Sequence, residues 1–350
     1  MWPFIRPIRL IRYLFIWRVN QSLVRLPSYL PTELSLVLGT AITRRLPTRQ
    51  AAPWIKAMAP WEELGGLSII NRPERKKPSF PPDAAWPVKT TVFAYPGKLT
   101  YGRGEPILWE LKLLGDNADH DLFLEVILPA IEDIATTKLP ATRRHNLLWG
   151  GFDIQAIYVA RGRRWEPLVQ DGHLDLRCRV TPTQWAEGWD TDFIAQSVSE
   201  SDLNFNRLRW LTPVILEDAA SPPSRRRRGR RRRKNPPPPE LSNILKALLE
   251  RMITLLPGKH NTPDTLWEAV GPEERATFES ALDQAGGVSL LKAAMKSAPK
   301  RWPTGQIGTE FFFPSIPTSL LPYLDLASVL HIGKQTHFGC GTFVLLPAKR

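Results

Sequence analysis

The sequence predicts an α+β protein in which helices cover antiparallel sheet, and it predicts that plan twice. Three observations carry the prediction. Ile107, Trp109, Leu111 and Leu113 alternate with Glu110 and Lys112, the period of two that marks a half-buried strand. Phe123, Ile127, Ile131 and Ile134, like Leu241, Ile244, Leu245, Leu248, Leu249 and Met252, recur instead at helical spacing. The order strand, helix, strand, helix and hairpin in the first half then returns in the second, as in an α+β sandwich of helices on antiparallel sheet.

The elements follow in order. Ile8 to Val19 reads as a strand with basic residues on one face, because Pro3 and Pro7 oppose a long helix from the start of the chain. A helix is expected near Ser28 to Arg45. After the strand 107–113, Gly115-Asp116-Asn117 turns the chain into the helix Leu122 to Ala135, where Pro129 should produce a kink or a fresh start. Phe152 to Ala160 and Trp165 to Val169 flank Arg161-Gly162-Arg163-Arg164, a hairpin with a basic tip.

The second half opens on Leu174, Leu176, Cys178 and Val180, alternating with Asp175, Arg177, Arg179 and Thr181. That strand would place Cys178 in the core. Another strand spans Arg207 to Leu216, with Thr212-Pro213 marking a bulge or an edge. The helix from Leu241 stops at Pro257-Gly258. Two or three short helices are expected over 264–298, then a strand at Ile307 to Phe313, a helix at Ser319 to Leu330 and a last strand at Thr342 to Leu346. These elements divide into an N-terminal unit, 1–171, and a C-terminal unit, 172–350. The latter carries an Arg/Pro-rich linker at 218–239 and a helical insertion at 257–300.

Charge narrows the function. Of 350 residues, 47 are Lys or Arg and 34 are Asp or Glu, a formal net charge of +13. Residues 225–234, RRRRGRRRRK, hold nine positive charges, and residues 1–50 hold eight arginines against Glu33, so the remainder is close to neutral. Two concentrated basic patches fit a polyanion whose counterions they release, nucleic acid above all. Arg6, Arg9, Arg12 and Arg18 interrupt every hydrophobic run at the start, which excludes a secretory signal, although an amphipathic membrane-surface helix stays open as a reading of residues 1–19. No apolar run reaches the length of a membrane span. Two cysteines, Cys178 and Cys340, build no disulfide framework and no Cys/His spacing forms a zinc site, so neither metal nor cofactor is expected and a cytoplasmic location fits.

The most distinctive stretch runs from His331 to Gly341, HIGKQTHFGCG, between a helix and a strand. Its order and spacing exclude both the Walker loop and the dinucleotide fingerprint, each of which needs a preceding strand. Gly333, Gly339 and Gly341 would let backbone amides approach a phosphate beside the Lys334 charge; a tight turn of no function is the competing reading.

HIGKQTHFGCGTFVL resembles the glycine-rich signature of the repeat-associated (RAMP) superfamily of CRISPR proteins. More narrowly, it is similar to the precursor-CRISPR-RNA-processing endoribonucleases, the Cas-six family. LPSYLPTELSLVLGTAI, YGRGEPILWELKLLGDNADHDLFLEVILPAIEDIA, LRWLTPVIL and TEFFFPSIPTSLLPYLDLASVL agree in order. The resemblance implies two ferredoxin-like, RRM-like domains in tandem and metal-independent cleavage of CRISPR repeat RNA. The 2′-hydroxyl attacks the adjacent phosphate, leaving 2′,3′-cyclic phosphate and 5′-hydroxyl ends on a crRNA that stays bound with other CRISPR effector subunits. That chemistry needs a base, an acid and cations or amides at the phosphate.

The chain departs from the family at one place, for no histidine occurs in residues 1–119, where many members carry the general base. The remaining candidates are His337 first, then His331, with Tyr29, Arg44, Arg45 and Lys334 as a histidine-free set; His120 and His145 read as turn or surface residues. RNA binding is assigned to Gly333, Lys334, Gly339, Gly341 and the arginines Arg225, Arg226, Arg227, Arg228, Arg230, Arg231, Arg232 and Arg233. The missing early histidine leaves open a non-cleaving crRNA-binding subunit as the alternative.

Overall fold

The computed structural model describes residues 2–70, 72–73, 76–78, 81, 84–136, 150–189, 204–216, 238–299, 302–303 and 305–348. The first sheet contains β1 (Leu10–Val19), β3 (Thr90–Ala94), β5 (Pro106–Leu114) and β6 (Phe152–Arg161) in the spatial order β3-β5-β1-β6, with β7 (Arg164–Gln170) and β8 (His173–Leu174) added beyond β6. β2 (Leu23–Arg25) and β4 (Thr100–Gly102) pair apart from it. The second sheet has β9 (Phe205–Trp210), β10 (Lys292–Ser297), β11 (Gln306–Phe312) and β12 (Phe343–Pro347) in the order β10-β11-β9-β12. In both, the earliest strand is central, flanked antiparallel by the third and fourth, with the second at the edge. That is the ferredoxin-like pattern, present in tandem.

Helices cover one face of each sheet. On the first lie α1 (Leu30–Arg45) and α3, which is α-helical over His120–Leu122, widens to a π turn over Phe123–Ile127 and returns to α over Leu128–Thr136. The widening sits just ahead of Pro129, which has no N–H to give Glu125 O and whose ring would crowd that turn. Leu34, Val37, Leu38 and Ile42 of α1 and Phe123, Ile127, Ile131 and Ile134 of α3 meet Tyr13, Phe15, Trp17 and Trp109 of the sheet. Each such burial is worth about 1.5–3 kcal/mol. On the second sheet, α4 (Leu241–Leu255) and α7 (Leu321–Leu330) supply Ile244, Leu245, Leu248, Met252, Leu324 and Leu330, and α5 (Pro263–Val270) and α6 (Pro272–Gly287) close that core from outside.

Several expectations change. Between Arg45 and Ile107 the sequence signalled nothing, yet α2 (Thr48–Glu63) and β3 lie there; Pro53 and Pro60 inside α2 hide it. The strand expected over Leu174–Val180 stops at Leu174, because the Asp175 carboxylate accepts the Arg177 amide at 3.0 Å and turns the chain, leaving Leu176 82% exposed. Cys178 still packs, partly buried, against the first core. The end of the expected helical stretch is strand β10, since pairing along β11 overrides the propensity of Lys292–Ser297. Core membership also departs from a division at residue 171. Trp2, Phe4 and Ile8 belong to the second core, where Phe4 stacks on Phe278 with ring centroids 5.3 Å apart.

Candidate nucleic-acid interface

The glycine loop, residues 331–341, joins α7 to β12 and wraps around β3, the edge strand of the first sheet. His331, Gly333, Gln335, Gly339 and Gly341 all take positive φ, so the loop is wound tightly on itself. A side chain on Gly341 would overlap Ile332 O, and one on Gly339 would come within 2.6 Å of Val92 O on β3. Gly339 thus lets the loop backbone meet β3, and Gly341 lets the loop close on itself. The amides of Ile332, Lys334, Phe338, Gly339, Cys340 and Gly341 all donate to backbone carbonyls, Lys334 to Ile215 O and Gly341 to Pro213 O. Those amides are spent within the loop or on the chain that follows β9, so they are not open to a phosphate in this structure; the links to the first sheet come from side chains.

The loop's side chains grip the first sheet from both faces. His337, 7% exposed, is held between Ser35 Oγ of α1 at 2.8 Å from Nε2 and Thr90 Oγ1 of β3 at 2.9 Å from Nδ1. Burial lowers its pKa to about 3, so the ring is neutral. On the other face His331 is fully buried, its Nδ1 3.2 Å from Cys340 O and its ring edge-on to Phe93. Burial, then the Lys112 and Arg251 charges, hold it well below the usual histidine range. Tyr29, at the start of α1, donates its hydroxyl to Phe338 O at 2.6 Å, and desolvation raises its pKa.

The candidates therefore fall into two groups. His337, His331 and Tyr29 gather at the loop, all buried and hydrogen-bonded into the fold; to act on RNA any of them must leave its pocket. Arg44 is exposed at the far end of α1, about 13 Å along the helix from Ser35 at 1.5 Å per residue. Lys334 is exposed on the loop. Arg225–Arg228 and Arg230–Arg233 lie outside the described residues. Leu216 and Pro238, on either side of that segment, line one cavity of ≈ 360 Å³ together with Ile215, the residue that accepts the Lys334 amide.

Behind the loop, α7 ends against cations from both sheets. Lys112 Nζ of β5 donates to Val329 O at 2.8 Å, and Arg251 Nε of α4 donates to Leu330 O at 3.1 Å. These are the last carbonyls of the helix, which have no partner within it, and the negative end of its dipole. Desolvation lowers the Lys112 pKa to about 7 against the pull of Glu110. Burial pushes Glu110 up, but Arg12, Lys112 and the Tyr95 hydroxyl outweigh it and keep the carboxyl below its ordinary value. Sequence reading missed Ser35, Thr90 and Arg251, since each looks like an ordinary helix or strand residue and only the fold brings it to the loop.

The face of the first sheet turned away from α1 and α3 carries the basic residues of β1. Arg12, Leu14, Ile16 and Arg18 of β1 point away from the first core, opposite Glu110 and Leu108 of β5 and Tyr158 and Ala156 of β6. The Arg12 guanidinium lies 5.0 Å from the Trp165 ring. Arg12 is also paired with buried Glu110 at 3.1 Å, so of these two arginines it is Arg18 that is exposed on this face.

Residues 208–343, comprising most of the second sheet with its helices and the glycine loop, match the model of the family described as CRISPR-associated endoribonuclease Cas6. Over that stretch, less than half of its length, the chain is similar to the Cas6 family. No curated protein matches the chain in sequence. A partial Cas6-RT-Cas1–Cas2 complex and a Cas6-RT-Cas1–Cas2 complex resemble 97% of it with a TM-score of 0.50 and 12% identity in each case, a likeness of fold. The chain spans only 46% and 29% of those two longer chains. A Cas6 product complex shares 18% identity over 97% of the chain and 99% of its own, with a TM-score of 0.44. Among the described residues no helix is long and apolar enough to cross a membrane, and no group of three or more His, Cys, Asp or Glu residues could hold a metal.

Proposed function

We propose that this protein is a member of the Cas6 family that binds CRISPR repeat RNA and cuts it without metal, the 2′-hydroxyl attacking the neighbouring phosphate to leave cyclic-phosphate and 5′-hydroxyl ends. The observation that carries this reading is the family match over the second ferredoxin-like sheet and the loop that links it to the first. Exposed Lys334 and Arg44 are the groups offered to the phosphate, and the arginine run 225–233 holds the RNA stem electrostatically. With His337 and His331 held neutral inside the fold, rate enhancement comes from charge stabilisation and substrate orientation, a slow reaction suited to an enzyme that keeps its product crRNA. Two structural neighbours are described as complexes of Cas6 with RT, Cas1 and Cas2; other CRISPR proteins are proposed as partners here too.

One observation favours a second reading. Both nitrogens of His337 are occupied and the Tyr29 hydroxyl is spent on Phe338 O, which suits a crRNA-binding subunit that does not cleave. End-labelled repeat RNA incubated in EDTA separates the two. A discrete product with a 5′-hydroxyl, abolished by a 2′-deoxy substitution at the cut, is expected; tight binding with no product establishes the second reading, and cleavage that survives the 2′-deoxy change refutes the chemistry.

A further inference from the structure

At the seam between the two sheets lies a pocket of ≈ 300 Å³. The residues before α1 and the loop from Ala94 to Leu99 wall it on one side, and Trp302 with Leu211 and Thr212 on the other. That volume is at the small end for ligand pockets, too small for a folded stem and suited to one planar group. Three of its aromatic rings are held in place. Trp302 Nε1 donates to Ser28 Oγ at 3.3 Å, and its ring lies 5.0 Å from Tyr29 at 44°. Tyr95 is pinned through its hydroxyl by buried Glu110, yet the residue is 41% exposed. A rigid ring left open gains no burial from folding, but it loses little entropy when something stacks on it. At the rim Lys98, 54% exposed, sits 5.3 Å from the centroid of Tyr101 and is paired with Glu105 at 2.5 Å.

We propose that this pocket takes one unstacked nucleobase of a single-stranded stretch of RNA, with the adjoining phosphate at Lys98. The proposal rests on the RNA-binding reading above and adds to it a base-sized, sequence-tolerant subsite built by both halves of the chain. Aromatic walls accept any base through its π-face, whereas a phosphate-only surface is indifferent to bases. The chain's net charge of +13 supplies the phosphate affinity on which such a subsite acts.

The test compares binding of an oligoadenylate 12-mer with that of an abasic 12-mer of the same backbone, using the full chain. The intact strand is expected to bind about five- to hundredfold tighter, the range for stacking one base. In Trp302→Leu and Tyr101→Leu the intact strand should fall toward the abasic one, while abasic binding stays as in the wild type. Should either variant fail to fold, 2-aminopurine placed in the strand reports on the wild type alone, its fluorescence quenched on stacking. Equal binding of the two strands, a base-dependent gain that survives both substitutions, or an unquenched probe on bound RNA overturns the pocket and leaves RNA binding standing. Loss of binding to both strands overturns the RNA reading as well. Adenosine monophosphate that binds as tightly as the 12-mer would reassign the pocket to a free nucleotide and overturn the proposal.

Discussion

His337→Phe tests whether the loop histidine is a structural post or a titrating base. The imidazole bridges Ser35 Oγ and Thr90 Oγ1 inside the protein, and phenylalanine takes that partner from Ser35 and leaves Thr90 only its long bond to Val88 O at 3.5 Å. A buried, unpaired hydroxyl costs about 1–3 kcal/mol, so the variant should lose at least roughly 1–3 kcal/mol at pH 7.5. The pH dependence is more diagnostic. The folded pKa of about 3 lies below the ordinary 6.5, so the unfolded chain binds the proton and the folded one does not. The contribution of His337 is intact above about pH 6.5 and falls as pH drops toward 3, by about 1.4 kcal/mol per unit. Between pH 7.5 and 5 the wild type therefore loses about 2 kcal/mol through this residue, and the variant loses none of it. Urea unfolding followed by tryptophan fluorescence at both pH values should show the gap between the two proteins narrowing by that amount. Parallel pH curves would refute the burial argument and return His337 to the candidates for general base.

Other outcomes follow from the same geometry. Gly341→Ala forces a side chain against Ile332 O at φ +82, and should cost roughly 2–6 kcal/mol, whereas Gly172→Ala, with φ +80 and open space around it, should cost about 1 kcal/mol; chemical denaturation of both checks the contrast. Lys112→Ala strips Val329 O of its donor and should destabilise by about 1–3 kcal/mol, seen also as faster proteolysis at the seam between the sheets. Replacing Arg225–Arg228 and Arg230–Arg233 by Gln should weaken RNA binding and flatten the dependence of log K on log salt; an unchanged slope would mean the run never meets phosphate. Lys334→Ala should slow single-turnover cleavage by about 10²–10³-fold if its ammonium faces the reacting phosphate, with binding much less affected.

The sequence by itself determined the elements with clean periods. β1, β5, the hairpin β6–β7, α3, α4 and α7 were legible because one face of each must be buried, and a period of 2 or 3.6 records which. The duplicated order of those elements and the glycine pattern of the last loop carried the family resemblance. Tertiary structure decided what has no local signature. α2 was masked by its own prolines, β10 is a strand only because β11 lies beside it, and Trp2, Phe4 and Ile8 join a core most of whose members come from the second half of the chain. It also decided where the candidate site residues sit. A histidine in a glycine loop reads the same whether it faces RNA or the interior, since polarity and spacing carry no information about long-range partners. Ser35 and Thr90, 302 and 247 residues from His337 in sequence, supply the hydrogen bonds that make the interior the lower-energy place for it.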